Sequence, residues 1–126
     1  MEKLVHIRTE MTPDIVLDKS EAIFTIKGSS RPENPFEYYK PVFEWFKEYF
    51  LQPNEKTIIE LQFDYFNTST SKILLDLFEL FENHSNNGTD VHIQWYYEND
   101  DEEMMEAGEE LLNLVEISYE VIGVEI

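Results

Sequence analysis

The sequence predicts an α/β fold: a single domain over residues 1–126 with a mixed, largely parallel sheet, an antiparallel hairpin at its amino-terminal edge, and helices mainly on one face. Three observations predict it. After the hairpin, a helical pattern and a strand pattern alternate three times, the order that builds parallel βαβ units. Two of the strands alternate apolar with polar residues, whereas a parallel strand covered on both faces would be an unbroken apolar run. The length of 126 residues fits one core and leaves no room for two.

The elements follow in order. Leu4 to Ile7 is a short strand ended by Thr12-Pro13. Ile15 to Leu17 and Ala22 to Ile26 flank the polar stretch Asp18-Lys19-Ser20-Glu21 and form the hairpin. Gly28 to Pro32 reads as a loop. Asn34-Pro35-Phe36-Glu37 opens a helix: Asn34 caps, Pro35 suits the first helical position, and Glu37 stands where a capping-box carboxylate does. Behind it Phe36, Tyr39, Phe43, Phe46 and Phe50 recur at spacings of 3, 4, 3 and 4, one helical face. Pro41 predicts a kink or an irregular first turn, and Pro53 marks the end.

Thr57 to Phe66 is a strand with Ile59, Leu61, Phe63 and Tyr65 on one face and Glu60, Gln62 and Asp64 on the other. The hydroxyl run Thr68-Ser69-Thr70-Ser71 leads into a helix over Ile73 to Phe81 that ends near Gly88. Val91, Ile93, Trp95 and Tyr97 make the next strand, with His92 and Gln94 on its polar side. Asp100 and Glu103 form a second capping-box pair, and the helix after them buries Met104, Gly108, Leu111 and Val115. Ile117 to Ile126 is the last strand. In such a sheet the loops Gly28 to Asn34, Asn67 to Ser71 and Glu98 to Asp101 gather at the carboxyl ends of the strands, where sites in α/β folds lie.

Composition bounds the function. Twenty-seven acidic residues against nine basic ones give a net charge of −18, which disfavours nucleic acid and anionic membrane surfaces as partners. With no cysteine there is no disulfide, thiolate metal site or cysteine nucleophile. The amino terminus lacks the apolar core of a signal peptide and no stretch is apolar enough to span a bilayer, so a cytoplasmic domain is expected. The sequons at Asn67, Asn83 and Asn87 are then chance. Four scattered glycines form neither a phosphate loop nor a dinucleotide fingerprint. His6, His84 and His92 fall in or beside three different elements, and no serine sits in a nucleophile-elbow context. No catalytic residues and no cofactor are therefore assigned. The acidic run from Glu98 to Glu110 lacks calcium-loop spacing and its glycine. Acids at a helix start favour the dipole and the later ones make a solvated face, so no metal ligands are assigned either; a docking surface for a basic partner is the stronger functional reading.

Asn67-Thr68-Ser69-Thr70-Ser71 is the most informative segment. One reading is a helix cap. A cap needs one hydroxyl, however, and four stand in a row here. A phosphoryl group at that helix start would meet free N–H groups and would add about −1.5 to −2 of charge to an exposed loop, enough to repel a docked partner. Cap and phosphoswitch both fit the pattern.

Ser30-Arg31-Pro32-Glu33-Asn34-Pro35-Phe36-Glu37, Tyr65-Phe66-Asn67-Thr68-Ser69 through Lys72, and Trp95-Tyr96-Tyr97-Glu98 followed by Ala107-Gly108-Glu109-Glu110 resemble the SiaC family of regulatory phosphoproteins. The likeness extends over nearly the whole chain. It implies a fold similar to the STAS domains and a partner-switching role. A cognate serine/threonine kinase phosphorylates one threonine, a PP2C-type phosphatase reverses it, and the unmodified protein binds its target, a diguanylate cyclase in the best-known system, so that cyclic di-GMP and biofilm formation rise. The acceptor implied is the threonine after the asparagine, Thr68, with Asn67, Ser69, Thr70 and Ser71 as its neighbours. The partner-binding residues expected beside it are Arg31, Pro32, Glu33, Asn34 and Tyr38. Arg31 stands where a guanidinium could meet a phosphate, and Tyr38, off the Phe36/Tyr39/Phe43 stripe, is expected as an exposed aromatic contact. Two other readings remain: a constitutive acidic adaptor without a switch, and a small metal-dependent enzyme using the acidic run.

Overall fold

A computed structural model describes residues 1–125 as six strands and three helices. The strands are β1 Leu4–His6, β2 Asp14–Asp18, β3 Ile23–Ser30, β4 Lys56–Phe66, β5 Asp90–Glu98 and β6 Ser118–Val124. The helices are α1 Pro35–Tyr49, α2 Thr68–Asn86 and α3 Glu102–Leu112. The sheet order is β1-β2-β3-β4-β5-β6; β1, β2 and β3 pair antiparallel, and β3 to β6 pair parallel. The strands advance in one direction, so right-handed crossovers put all three helices on the same face. Accordingly α1 packs on α2 and α2 on α3.

The core lies between that layer and the inner sheet face. Ile15, Leu17, Phe24, Ile26, Ile59, Leu61, Ile93 and Trp95 are buried there under Tyr39, Phe46, Leu74, Leu77 and Phe78. The outer face is polar and laced with hydrogen bonds. Lys27 Nζ is 3.7 Å from Glu60, and His92 lies 2.7 Å from both Glu120 Oε1 and Ser118 Oγ. The one-sided sheet is what the alternating strands predict.

Several boundaries differ from the sequence reading. Ser29 and Ser30 belong to β3, because they pair with Tyr65 and Phe66 of β4; small polar residues read as loop are strand here. Ala22 is in the turn and not the strand, with φ 56°. The register shifts between Gly28 and Ser29, which pair with Phe63 and Tyr65, so Asp64 is an extra residue bulged from β4. The bulge reverses the alternation beyond it. Tyr65, expected on the apolar face, is 50 % exposed, and Phe66 turns inward to meet Phe63 and Trp95 edge-on.

The buried face of α1 is Tyr39, Val42, Trp45, Phe46 and Tyr49, whereas Phe36 is 70 % exposed and Phe43 only half-buried. So many aromatics stand in this helix that two overlapping stripes satisfy the same spacing. The helix continues through Pro41, an exposed residue that has no N–H to offer the carbonyl four residues back. The α3 cap is Asp101, one residue past Asp100, because the turn closed by Asp101 N–H to Glu98 O brings Asp101 Oδ1 to the Met104 N–H at 3.0 Å. Leu112, rather than Leu111, is fully buried in α3. The last strand begins at Ser118, and Ile126, placed in it from sequence, lies outside the described residues.

Candidate functional site: the first turn of α2

The hydroxyl run is not a loop before a helix but the first turn of the helix itself. Asn67 is the cap: its Oδ1 accepts the Thr70 N–H at 2.9 Å, and its own N–H donates to Ser30 O at 3.2 Å, tying α2 to the end of β3. Thr68 and Ser69 follow, both exposed. At a helix start the leading N–H groups have no partner within the helix, so those of Thr68 and Ser69 face water or an anion. Ser71 donates from Oγ to Thr68 O at 2.6 Å.

Thr70 is different. It is fully buried in a hydroxyl chain that joins three elements. Tyr39 OH and Ser30 Oγ are 2.6 Å apart, Ser30 Oγ is 3.1 Å from Thr70 Oγ1, and Thr70 Oγ1 donates to Ser30 O at 3.2 Å. One assignment satisfies every group: Tyr39 donates to Ser30, Ser30 to Thr70, and Thr70 to the Ser30 carbonyl. Burial pushes the Tyr39 phenol far above its ordinary pKa, so it stays a neutral donor. The four hydroxyls are thus sorted into two accessible ones, one half-buried and one sealed, a division that a row of like residue types does not announce.

Two of the three loops, Gly28 to Asn34 and Asn67 to Ser71, come together at one end of the sheet. Asn34, Pro35 and Phe36 from the start of α1 and Ser69, Lys72, Ile73 and Asp76 from α2 line one hollow of 330 Å³. On the other side, Asp101 and Glu98 border the end of β4 through Gln62, Phe63 and Asp64. Arg31 is exposed, with its guanidinium 6.0 Å from the Tyr65 ring centroid, a cation–π contact made possible by the β4 bulge. Pro32 is buried, Glu33 is exposed, and Asn34 caps α1 by accepting the Glu37 N–H at 3.3 Å. Tyr38 is not the exposed aromatic the sequence suggested. It is half-buried against His6 and Tyr39, with its OH 3.4 Å from Pro13 O, because the core stripe lies on its side of α1. The exposed aromatic rings at this end are Phe36 and Tyr65, the latter beneath the Arg31 guanidinium.

Sequence reasoning missed Arg8. Its guanidinium holds Asp14 at 2.9 Å, lies 3.8 Å from Asp64 and donates to Lys27 O at 3.3 Å, bracing β2, β3 and the bulge together. The Arg8 backbone N–H, and then its side chain, hold the Asp14 carboxyl below the ordinary carboxylate range. An isolated arginine between two short strands carries no sequence signal for that role. The histidines stay apart: His6 on Tyr38, His84 stacked on Phe50 at 4.2 Å, His92 on the outer face. Among the described residues no three His, Asp or Glu side chains converge as metal ligands would, and no helix is long and apolar enough to cross a membrane.

The result is a two-layer α/β domain, one sheet under one layer of helices, with two accessible hydroxyls at a helix start beside a solvent-open hollow. Residues 7–124 match the SiaC family regulatory phosphoprotein description, and the chain belongs to that family. It is 27 % identical to apo-SiaC of Pseudomonas aeruginosa, with 98 % of this chain and 100 % of that one covered at a TM-score of 0.88. The crystal structure of the diguanylate cyclase SiaD in complex with its activator SiaC, from the same organism, also matches, at 26 % identity, 96 % and 99 % coverage and a TM-score of 0.90. An uncharacterized protein of Pseudomonas aeruginosa (strain UCBPP-PA14) is 29 % identical over 102 residues, 81 % of each chain.

Proposed function

We propose that this chain is a non-enzymatic cytoplasmic switch protein. In its unmodified form it binds and activates a diguanylate cyclase. A cognate serine/threonine kinase adds a phosphate to Thr68, which releases the cyclase, and a PP2C-type phosphatase removes it. Cyclic di-GMP output, and with it biofilm formation, then follows the fraction of unmodified protein. The relative that activates a cyclase supports the target. The observation that carries the site is the sorting of the hydroxyls: Thr68 is exposed at the helix start while Thr70 is sealed beneath it. A phosphoryl group on Thr68 Oγ would gain from the leading N–H groups and would change the charge of the loop cluster by about −2. Arg31, Pro32, Glu33, Asn34 and Tyr38 are the proposed target-facing segment; in it Pro32 and Tyr38 hold shape, and Arg31, Glu33 and Asn34 are free to touch a partner.

The test is direct. Incubated with its kinase and ATP, the protein gains one phosphate on Thr68 by mass spectrometry, Thr68→Ala gains none, and the phosphorylated form no longer raises the cyclase rate. Label retained on Thr68→Ala moves the acceptor to Ser69, the other accessible hydroxyl. Failure to label under any kinase favours a constitutive adaptor.

A further inference from the structure

On α1, Phe36, Lys40, Phe43 and Lys47 follow at spacings of 4, 3 and 4 and form a stripe beside the buried face. Facing it on α2 are Ser69, Lys72, Ile73 and Asp76. Two adjoining hollows of 170 and 330 Å³, sharing Phe36, Ile73 and Asp76, make one groove between the helices. Its floor is apolar, from Phe36, Phe43 and Ile73. Its rim is basic. Lys40, Lys47 and Lys72 are three of only seven lysines in a chain of net charge −18. All three are exposed, and among the described residues none forms an ion pair, whereas Arg8 and Lys27 do. Asp76 is the single carboxylate lining the groove.

We propose that this groove docks an acidic amphipathic helix of the partner protein, with apolar side chains on the floor and Asp or Glu side chains against Lys40, Lys47 and Lys72. Charge complementarity selects the occupant. A second copy would bring a further −18, a basic segment would meet the lysine rim, and a flat lipid surface would leave the groove unfilled. The stripe from Phe36 to Lys47 spans about 16 Å at 1.5 Å per residue, the length of about three helical turns. The inference deepens the switch reading and rests on it in one respect: Thr68 adjoins the groove-lining Ser69, so its phosphate would stand at the groove mouth, draw Lys72 to itself and repel the incoming carboxylates.

The probe is a synthetic helical peptide of about 14 residues, with leucines at i, i+4, i+7 and i+11 flanked by glutamates, and a twin with lysines in their place. With the acidic peptide, the amide resonances of Phe36, Lys40, Phe43, Lys47, Lys72 and Ile73 shift. Lys40→Glu/Lys47→Glu, two exposed positions, keeps its circular dichroism and binds at least about tenfold more weakly. A shift map away from the groove, unchanged affinity of that variant, or tighter binding of the lysine twin to the groove overturns the proposal. So does a dimer in sedimentation velocity, or association with phosphatidylglycerol vesicles, that the same variant abolishes. Kinase labelling of Thr68 is read separately. A double variant that is labelled but no longer binds peptide supports the groove. A wild type that binds peptide but takes no label supports the groove and removes the switch.

Discussion

Replacing Thr70 by Val keeps the shape of the side chain and removes both of its hydrogen-bonding capacities. The Ser30 Oγ proton loses its acceptor at 3.1 Å, and the Ser30 carbonyl loses the Thr70 donor while keeping the Asn67 N–H at 3.2 Å. The carbonyl is therefore still served, but the serine hydroxyl becomes an unpartnered donor in a fully buried place. Such a donor costs about 1–3 kcal/mol, so the loss is about 2 kcal/mol of the 5–15 typical of a domain. For a chain of this size that lowers Tm by about 6–10 °C. Ser30→Ala strands the Tyr39 phenol instead and costs a similar amount. The double variant costs about 1 kcal/mol less than the sum, because the shared Ser30–Thr70 link is broken only once. Thr68→Val, exposed and without a side-chain partner, stays within about 0.5 kcal/mol of wild type. Urea unfolding at constant m-value measures all four. A Thr70→Val protein as stable as Thr68→Val, or strictly additive losses, would refute the hydroxyl chain as the fastening of α2 to the sheet. Kinase labelling of Thr70→Val adds a functional reading: its stoichiometry matches wild type.

Gly108→Ala aims a methyl group at the fully buried Trp95 ring, meeting Cδ1 at 2.5 Å and Cε2 at 2.7 Å, and displaces the indole N–H from Met104 O. Overpacking and a strained buried donor together cost more than about 2 kcal/mol, seen as a lower urea midpoint and an altered Trp fluorescence maximum. On the outer face the His92 hydrogen bond, followed by that from Gln94, lowers the Glu120 pKa below its ordinary value. Its contribution to stability is present above the unfolded carboxylate pKa, about 4.3, and is lost as pH falls through the lower folded value. In His92→Ala the Glu120 carboxyl carbon titrates at higher pH by NMR; an unmoved midpoint would remove His92 as the cause.

The order of elements along the chain, the one-sided helix layer and the cap at Asn34 were legible because alternation and capping are local patterns with a physical cause. Asp64 shows the limit. One inserted residue turns Tyr65 out and Phe66 in, and only the pairing partner, Gly28 with φ 130°, reveals it. The α1 stripe failed for another reason: with Phe36, Tyr39, Phe43, Phe46, Tyr49 and Phe50 all aromatic, spacing cannot choose between two faces one step apart. At the site, the hydroxyl run was conspicuous, but which hydroxyl is sealed depends on Ser30 and Tyr39, 40 and 31 positions away. Arg8 is a contact of the folded chain alone.

Strand order in this sheet equals chain order, and that has a consequence for how the molecule is made. Each strand after the first pairs with a neighbour that precedes it in the chain, so none must be inserted between two that are already joined. As the chain leaves the ribosome, the exposed edge is always the newest strand, and its next partner is one crossover behind. Closure entropy is then met in small instalments, with no single long-range step. The topology thus permits assembly to run outward from the hairpin of β2 and β3, strand by strand, to β6.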